Sequence, residues 1–225
     1  MRIGVICALE EEISLLREYF VFEKEIRCGS IMVTEASLFS NRLFLTISGI
    51  GKTCAAIAAQ ALISELKCDL ILNTGLAGSC DRDLHPGSAV LASGALYHDF
   101  YLTASDIGYH EVFTSDSRLN RYATGILDSQ NFGYSFGLVA TGDCFVSDTG
   151  LKTDIISRTG CMCVDMELAA IAHVASLNSI PYLSLKIISD YADEAAEEDF
   201  IFSMNAYTSY CSHFIYSLVK QFPYT

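Results

Sequence analysis

Pro181-Tyr182-Leu183-Ser184-Leu185-Lys186-Ile187-Ile188, running straight into Ser189-Asp190, is the stretch whose reading decides the fold. It is short, apolar around a lone Lys186, and ends on a carboxylate, the pattern of a strand buried on both faces of a parallel sheet. Four other runs have the same form: RIGVICAL (2–9) before Glu10-Glu11-Glu12, LILN (70–73) before Thr74-Gly75, GLVA (137–140) before Thr141-Gly142-Asp143, and CMCV (161–164) before Asp165-Met166-Glu167. In an open α/β sheet ligands bind beyond the carboxyl ends of the strands. The expectation is therefore one sheet edge at which three acidic clusters share a pocket.

Between these runs lie longer stretches of helical character, so the chain reads as successive βα units. Strands are expected at 2–8, 43–48, 69–73, 88–94, 136–141, 161–165 and 181–188. Helices are expected at 10–20, with Ile13, Leu16, Tyr19 and Phe20 as its apolar stripe, and at 53–66, 118–128, 166–177 and 203–220. Thr74-Gly75-Leu76-Ala77-Gly78 reads as a turn. Region 97–117 has weak periodicity and reads as a long loop or a loop-plus-hairpin arm, a kind of segment that often carries function.

Of the 225 residues, 51% are hydrophobic and 18% charged, enough apolar surface for an ample core. With only three prolines and no Ser/Gly-rich or charge-block linker, residues 1–225 read as a single domain. The net charge of −13 argues against a nucleic-acid partner, which needs clustered Lys and Arg on phosphates. The run from Ile3 to Leu9 is too short to cross a bilayer and leads into three glutamates rather than a small-residue cleavage site, so no membrane role and a cytoplasmic location are expected. Nine cysteines, mostly inside apolar runs and without a C-x-x-C, read as reduced core thiols, not a metal or redox centre.

Each motif also has a bland reading. Gly51-Lys52-Thr53 follows a strand, but a phosphate loop would need its first glycine at Thr46, inside the strand, so a tight turn and helix start is preferred. Glu10 to Glu12, Asp165 with Glu167, and Asp190 after Ser189 could all serve helix N-termini. Those readings leave unexplained why the three clusters fall at one sheet edge. His173 reads as a core or subunit-contact histidine, and His98 as a residue that could shape a pocket. Phe145 suits either the core or stacking on a base.

Taken in order, Ile3-Gly4 through Ala8-Leu9-Glu10-Glu11-Glu12, Ser48-Gly49-Ile50-Gly51-Lys52, Asn73-Thr74-Gly75 with Ala77-Gly78, Tyr97-His98-Asp99, Thr141-Gly142-Asp143 before Phe145, Asp165-Met166-Glu167 with Ala170-Ile171-Ala172-His173-Val174, and Ile188-Ser189-Asp190 with Ala192-Asp193 resemble the 5′-methylthioadenosine/S-adenosylhomocysteine nucleosidases of the purine nucleoside phosphorylase superfamily. The resemblance implies an α/β, three-layer sandwich with a central mixed, partly barrel-like sheet, usually a homodimer. It implies hydrolysis of the N-glycosidic bond of a 5′-substituted adenosine, with no metal or organic cofactor. Carried over by position, Asp190 is the general acid toward adenine N7, supported by Ser189. Glu12 activates water, and Glu167 with Met166 holds the ribose. Phe145 stacks on adenine while the backbone of Val146 reads its edge. Ile50, Leu76, Ala77, Gly78, Asp165 and Lys186 fall at further substrate-binding positions, and Leu9, Leu102 and Phe200 at the tail pocket.

This sequence departs from the family at three places. Lys186 stands where an Arg is usual, which keeps the charge and loses the bidentate fork. Leu76 replaces a Ser. After Asp99 the chain reads Phe100-Tyr101-Leu102-Thr103-Ala104-Ser105, without the family's second Asp, its following Phe, or the Gly- and Pro-containing loop beyond. These last changes fall where the family binds the 5′ substituent, so the resemblance sets 6-amino-6-deoxyfutalosine, an adenosine-derived intermediate of menaquinone synthesis with a bulky aromatic tail that some relatives cleave, beside methylthioadenosine and S-adenosylhomocysteine as a candidate substrate.

Overall fold

The computed structural model describes residues 1–13, 15–101 and 111–222. Its strands are β1 (Arg2–Cys7), β2 (Val21–Cys28), β3 (Ile31–Leu38), β4 (Asn41–Ile47), β5 (Leu70–Ser79), β6 (Ala89–Tyr97), β7 (Phe113–Thr114), β8 (Tyr134–Thr141), β9 (Cys163–Asp165) and β10 (Tyr182–Asp190). The helices are α1 (Leu16–Tyr19), α2 (Lys52–Ser64), α3 (Ser117–Ser129), α4 (Thr149–Thr159), α5 (Leu168–Leu177) and α6 (Ala196–Gln221), with a 3₁₀ turn at Glu10–Ile13.

All ten strands belong to one mixed sheet. The order β10-β6-β8-β9-β5 closes on itself because β5 also pairs in parallel with β10, giving a five-stranded, barrel-like ring. From β5 the sheet continues through β1 and β4 to the antiparallel β3 and β2. One face packs Ala-rich α2 and α5 through Ala55, Ala58, Leu62, Ala169 and Ala172. The other packs α3 and α6 through Ala123, Ile126, Ile215 and Leu218. Small side chains on α2 and α5 let those helices lie close to strands already filled by Val, Ile and Leu.

The sheet and the helices on both of its faces agree with the expected fold class. Several local expectations are corrected. The helix expected over 10–20 is a 3₁₀ turn and the single-turn α1. Residues 74–78 are not a turn: β5 runs on to Ser79, because β10 pairs along it as far as Gly78 and β9 pairs with Gly78 and Ser79. Helix α6 begins at Ala196, ahead of the expected 203. Asp190 closes β10 well short of that helix and does not cap it. The β2–β3 hairpin and α4 are absent from the sequence expectation. β2 is mostly exposed and gives no apolar alternation, and α4 buries only Ile155. The signal for α4 was its punctuation, an Asp148 N-cap and a left-handed Gly160 at its end. Of region 97–117, Tyr97 ends β6 and β7 forms a short antiparallel pair with β6. Leu102 lies outside the described residues.

Candidate active site

The carboxyl ends of β1, β5, β9 and β10 surround a cavity of about 510 Å³. Of the residues expected there, Leu9, Glu12, Ile50, Leu76, Ala77, Gly78, Phe145, Val146, Asp165, Met166, Glu167, Ser189, Asp190 and Phe200 all line it. Lys186 does not. It is fully buried behind the wall, its ammonium 2.8 Å from Asp165 Oδ2. His98 is likewise buried away from the cavity, packed where a Cβ on Gly142 would lie 2.3 Å from its Cε1. His173 stacks on Phe113 and its Nδ1 lies 3.3 Å from the Tyr97 hydroxyl.

Glu12 reaches the cavity because the 3₁₀ turn folds its side chain back over the end of β1. Its Oε2 accepts from the N–H groups of Ala8 at 2.8 Å and Leu9 at 3.1 Å, and its Oε1 from that of Leu76 at 3.2 Å. Gly75 makes room, since a Cβ there would stand 2.6 Å from Oε1. Burial raises the Glu12 pKa, while Lys186 and the three N–H donors work in the opposite direction.

Asp190 sits at the end of β10, buried, accepting from the Ser189 hydroxyl at 2.6 Å and the Ala192 N–H at 2.8 Å. Burial raises its pKa against those two donors, and Asp199 and Asp193 add to the rise. Gly78 is again the residue that leaves space, because a Cβ would approach Asp190 Oδ1 to 2.9 Å.

On the opposite wall, Asp165 accepts from the Thr141 hydroxyl at 2.5 Å and the Leu168 N–H at 2.9 Å. Glu167 stands at the N-cap of α5 but makes no capping bond; its Oε1 accepts from the Gly51 N–H at 2.9 Å instead. Burial first, and then Asp165, push its pKa from 4.5 to about 7. Burial opposes the charge on Lys186, yet Asp165, Glu167 and Glu12 together outweigh it and raise its pKa. Three carboxylates thus share one ammonium. Glu167 and Glu12 hold protons more tightly than free side chains do, and Lys186 stays charged.

The lining also includes Ala8, Cys144, Val164, Glu197 and Ile201, which were not anticipated. The first three adjoin named residues of the same motifs. Glu197 and Ile201 flank Phe200 on α6, whose first turns precede the periodic stretch 203–220 that marks the helix in the sequence. Phe145 and Phe200 meet edge to face with centroids 5.8 Å apart, forming one apolar side of the cavity. Among the described residues no group of three or more His, Cys, Asp or Glu side chains could hold a metal ion, and no helix is long and apolar enough to cross a membrane.

Comparison with known proteins agrees with this geometry. The phosphorylase superfamily model matches residues 2–220. A 5′-methylthioadenosine/S-adenosylhomocysteine nucleosidase of Haemophilus influenzae (strain PittEE) is 33% identical over 210 residues, covering 89% of this chain and 90% of that protein. The crystal structure of the S-adenosylhomocysteine nucleosidase of Streptococcus pyogenes in complex with 5-methylthiotubericidin superposes with a TM-score of 0.94 at 28% identity, covering 100% of this chain and 98% of the other. The native structure of the futalosine hydrolase of Helicobacter pylori strain 26695 gives the same TM-score at 27% identity, covering 98% of each chain. With its strand-edge carboxylates in place and sequence identity running through nearly its whole length, the chain belongs to the 5′-methylthioadenosine/S-adenosylhomocysteine nucleosidases of the phosphorylase superfamily.

Proposed function

We propose that this chain, acting as a single domain, hydrolyses the N-glycosidic bond of 5′-substituted adenosines and releases adenine. The observation that supports this most is the placement of two buried carboxylates with different surroundings in one cavity: Glu12 collared by three backbone N–H groups, and Asp190 by one hydroxyl and one N–H. Departure of adenine is the difficult step, and a neutral base leaves far more readily than its anion. Asp190, whose burial favours the protonated form, supplies that proton to N7. Glu12 takes a proton from the attacking water, its charged form supported by its N–H donors and Lys186.

Glu167, with Met166, binds the ribose hydroxyls, and its carboxylate stabilises positive charge developing on the sugar. Phe145 stacks on the base and the Val146 backbone reads its edge. Water rather than phosphate is the nucleophile, because Glu12 occupies the side from which the nucleophile approaches and its carboxylate repels a phosphate dianion. The tail rests on Leu9, Phe200 and Ile201. That apolar side suits the alkylthio or aromatic part of a substituent, and the likeness to a futalosine hydrolase supports 6-amino-6-deoxyfutalosine as one of the substrates. A cytoplasmic homodimer completes the reading, checked by solution mass.

The test is adenine release from methylthioadenosine, S-adenosylhomocysteine and 6-amino-6-deoxyfutalosine, with and without phosphate. Release is expected without phosphate, and Asp190→Asn should lower it by about 10²–10⁴-fold with the fold intact. A strict need for phosphate with ribose 1-phosphate as product would make the protein a phosphorylase; tight binding without release would make it a nucleoside-binding protein.

A further inference from the structure

Three segments outside the cavity lining meet in a closed ring of polar contacts. Lys52, the first residue of α2, places its ammonium 2.6 Å from both oxygens of Asp99, just beyond β6, and 3.6 Å from Asp143 Oδ2, just beyond β8. The Lys52 N–H donates to Asp143 Oδ1 at 2.8 Å, and the Asp143 N–H donates to Asp99 Oδ2 at 2.8 Å. The lysine of the Gly51-Lys52-Thr53 motif is therefore engaged by two carboxylates, which accounts for it without any phosphate.

The ring bears on the peptide that reaches the site. Gly51 has φ +96°, open to glycine, and a Cβ there would lie 3.0 Å from Asp143 Oδ1. The same Asp143 oxygen thus holds the Lys52 N–H and packs over the Gly51 Cα. The adjoining Gly51 N–H is the one that donates to Glu167 Oε1. We infer that Asp143, held by Lys52 and Asp99, is a positioning residue that fixes the Gly51 peptide so that its N–H fastens Glu167 for the ribose. The inference rests on the ribose-binding part assigned to Glu167 above.

Glu167 faces Asp165 from β9, Lys186 from β10, Glu12 from the 3₁₀ turn and the Gly51 N–H from the turn before α2. Of these, Lys186 and the N–H favour its charged form. Loosening the peptide removes one of the two, so the pH at which Glu167 ionises moves upward.

The experiment measures equilibrium binding of adenine and of a non-hydrolysable 5′-methylthio C-nucleoside analogue of adenosine from pH 5 to 9, in the wild type, Asp143→Ala and Asp143→Asn. Asp143→Ala should weaken the nucleoside analogue about tenfold and leave adenine within about twofold, since adenine lacks the ribose that Glu167 holds. The bend in the pH profile of nucleoside binding should move up by about one unit, and Asp143→Asn, which keeps the acceptor, should recover most of both effects. Lys52→Met opens the ring from the other side and should displace the bend in the same direction, which keeps the test available if the alanine protein does not fold. Equal loss of adenine and nucleoside affinity, or an unmoved bend in whichever variants fold, would overturn the inference. Because binding is read without turnover, failure of the hydrolase reading shows separately, as absence of adenine release by the wild type.

Discussion

Glu167→Gln should make the ligand-free protein more stable above neutral pH, although it removes a group assigned to the substrate. The folded state raises the Glu167 pKa from 4.5 to about 7, so the folded chain retains a proton there that the unfolded chain has lost. The sign follows from linkage: this group's contribution is fully present below pH 4.5 and is lost as pH rises through about 7. At 1.36 kcal/mol per pKa unit the loss amounts to about 3 kcal/mol. Glutamine imitates the protonated acid and still accepts the Gly51 N–H, so it escapes this loss. The variant should match the wild type near pH 4.5 and exceed it by about 3 kcal/mol at pH 8, about 6–12 °C in Tm for a chain of this size. The assay is thermal and urea unfolding of both proteins at one concentration, without ligand, at pH 4.5 to 8.5. His98, whose pKa burial lowers, acts in the opposite sense, contributing above its ordinary 6.5 and losing that contribution below; it is common to both proteins and cancels in the difference. A stability difference that does not vary with pH, or a variant weaker than wild type at pH 8, would refute the reasoning.

Other outcomes follow from the same geometry. Lys186→Met leaves Asp165, Glu167 and Glu12 without their shared cation and should cost about 3–5 kcal/mol in unfolding experiments near neutral pH, whereas Lys186→Arg should retain much of that stability; equal stability of the methionine and wild-type proteins would show that the buried pair is dispensable. Gly78→Ala drives a Cβ to 2.9 Å from Asp190 Oδ1 and 3.0 Å from the Ala192 Cβ, so kcat should fall about 10²-fold while the circular dichroism spectrum is unchanged. Phe200→Ala opens the apolar side and should raise KM for methylthioadenosine while leaving adenine affinity less affected; a parallel loss for both would place Phe200 against the base through Phe145 instead.

Much of the fold was legible because buried strands in this chain are short, continuous and apolar, and each ends on a small or acidic residue. That pattern is local, and it placed β1, β8, β9 and β10 and the three acidic clusters at the right sheet edge. It failed at β2 and α4, whose exposed surfaces carry little periodicity, and at residues 74–78, where glycines that usually mark a turn stay extended because strands flank them on both sides.

The sequence by itself determined which residues meet at the cavity: Glu12, Glu167 and Asp190 were recognisable from strand ends and motif order. Only the tertiary structure decided what each one feels. Glu12 turns back onto the Leu76 N–H, Lys186 withdraws behind the wall to Asp165, and Asp143 reaches across to the peptide before α2. These partners are between 21 and 91 positions apart in the chain. Periodicity reports only which face of an element is buried; contacts across such separations arise when the sheet closes and the helices pack on it, and they set the charge, proton affinity and aim of the groups at its edge.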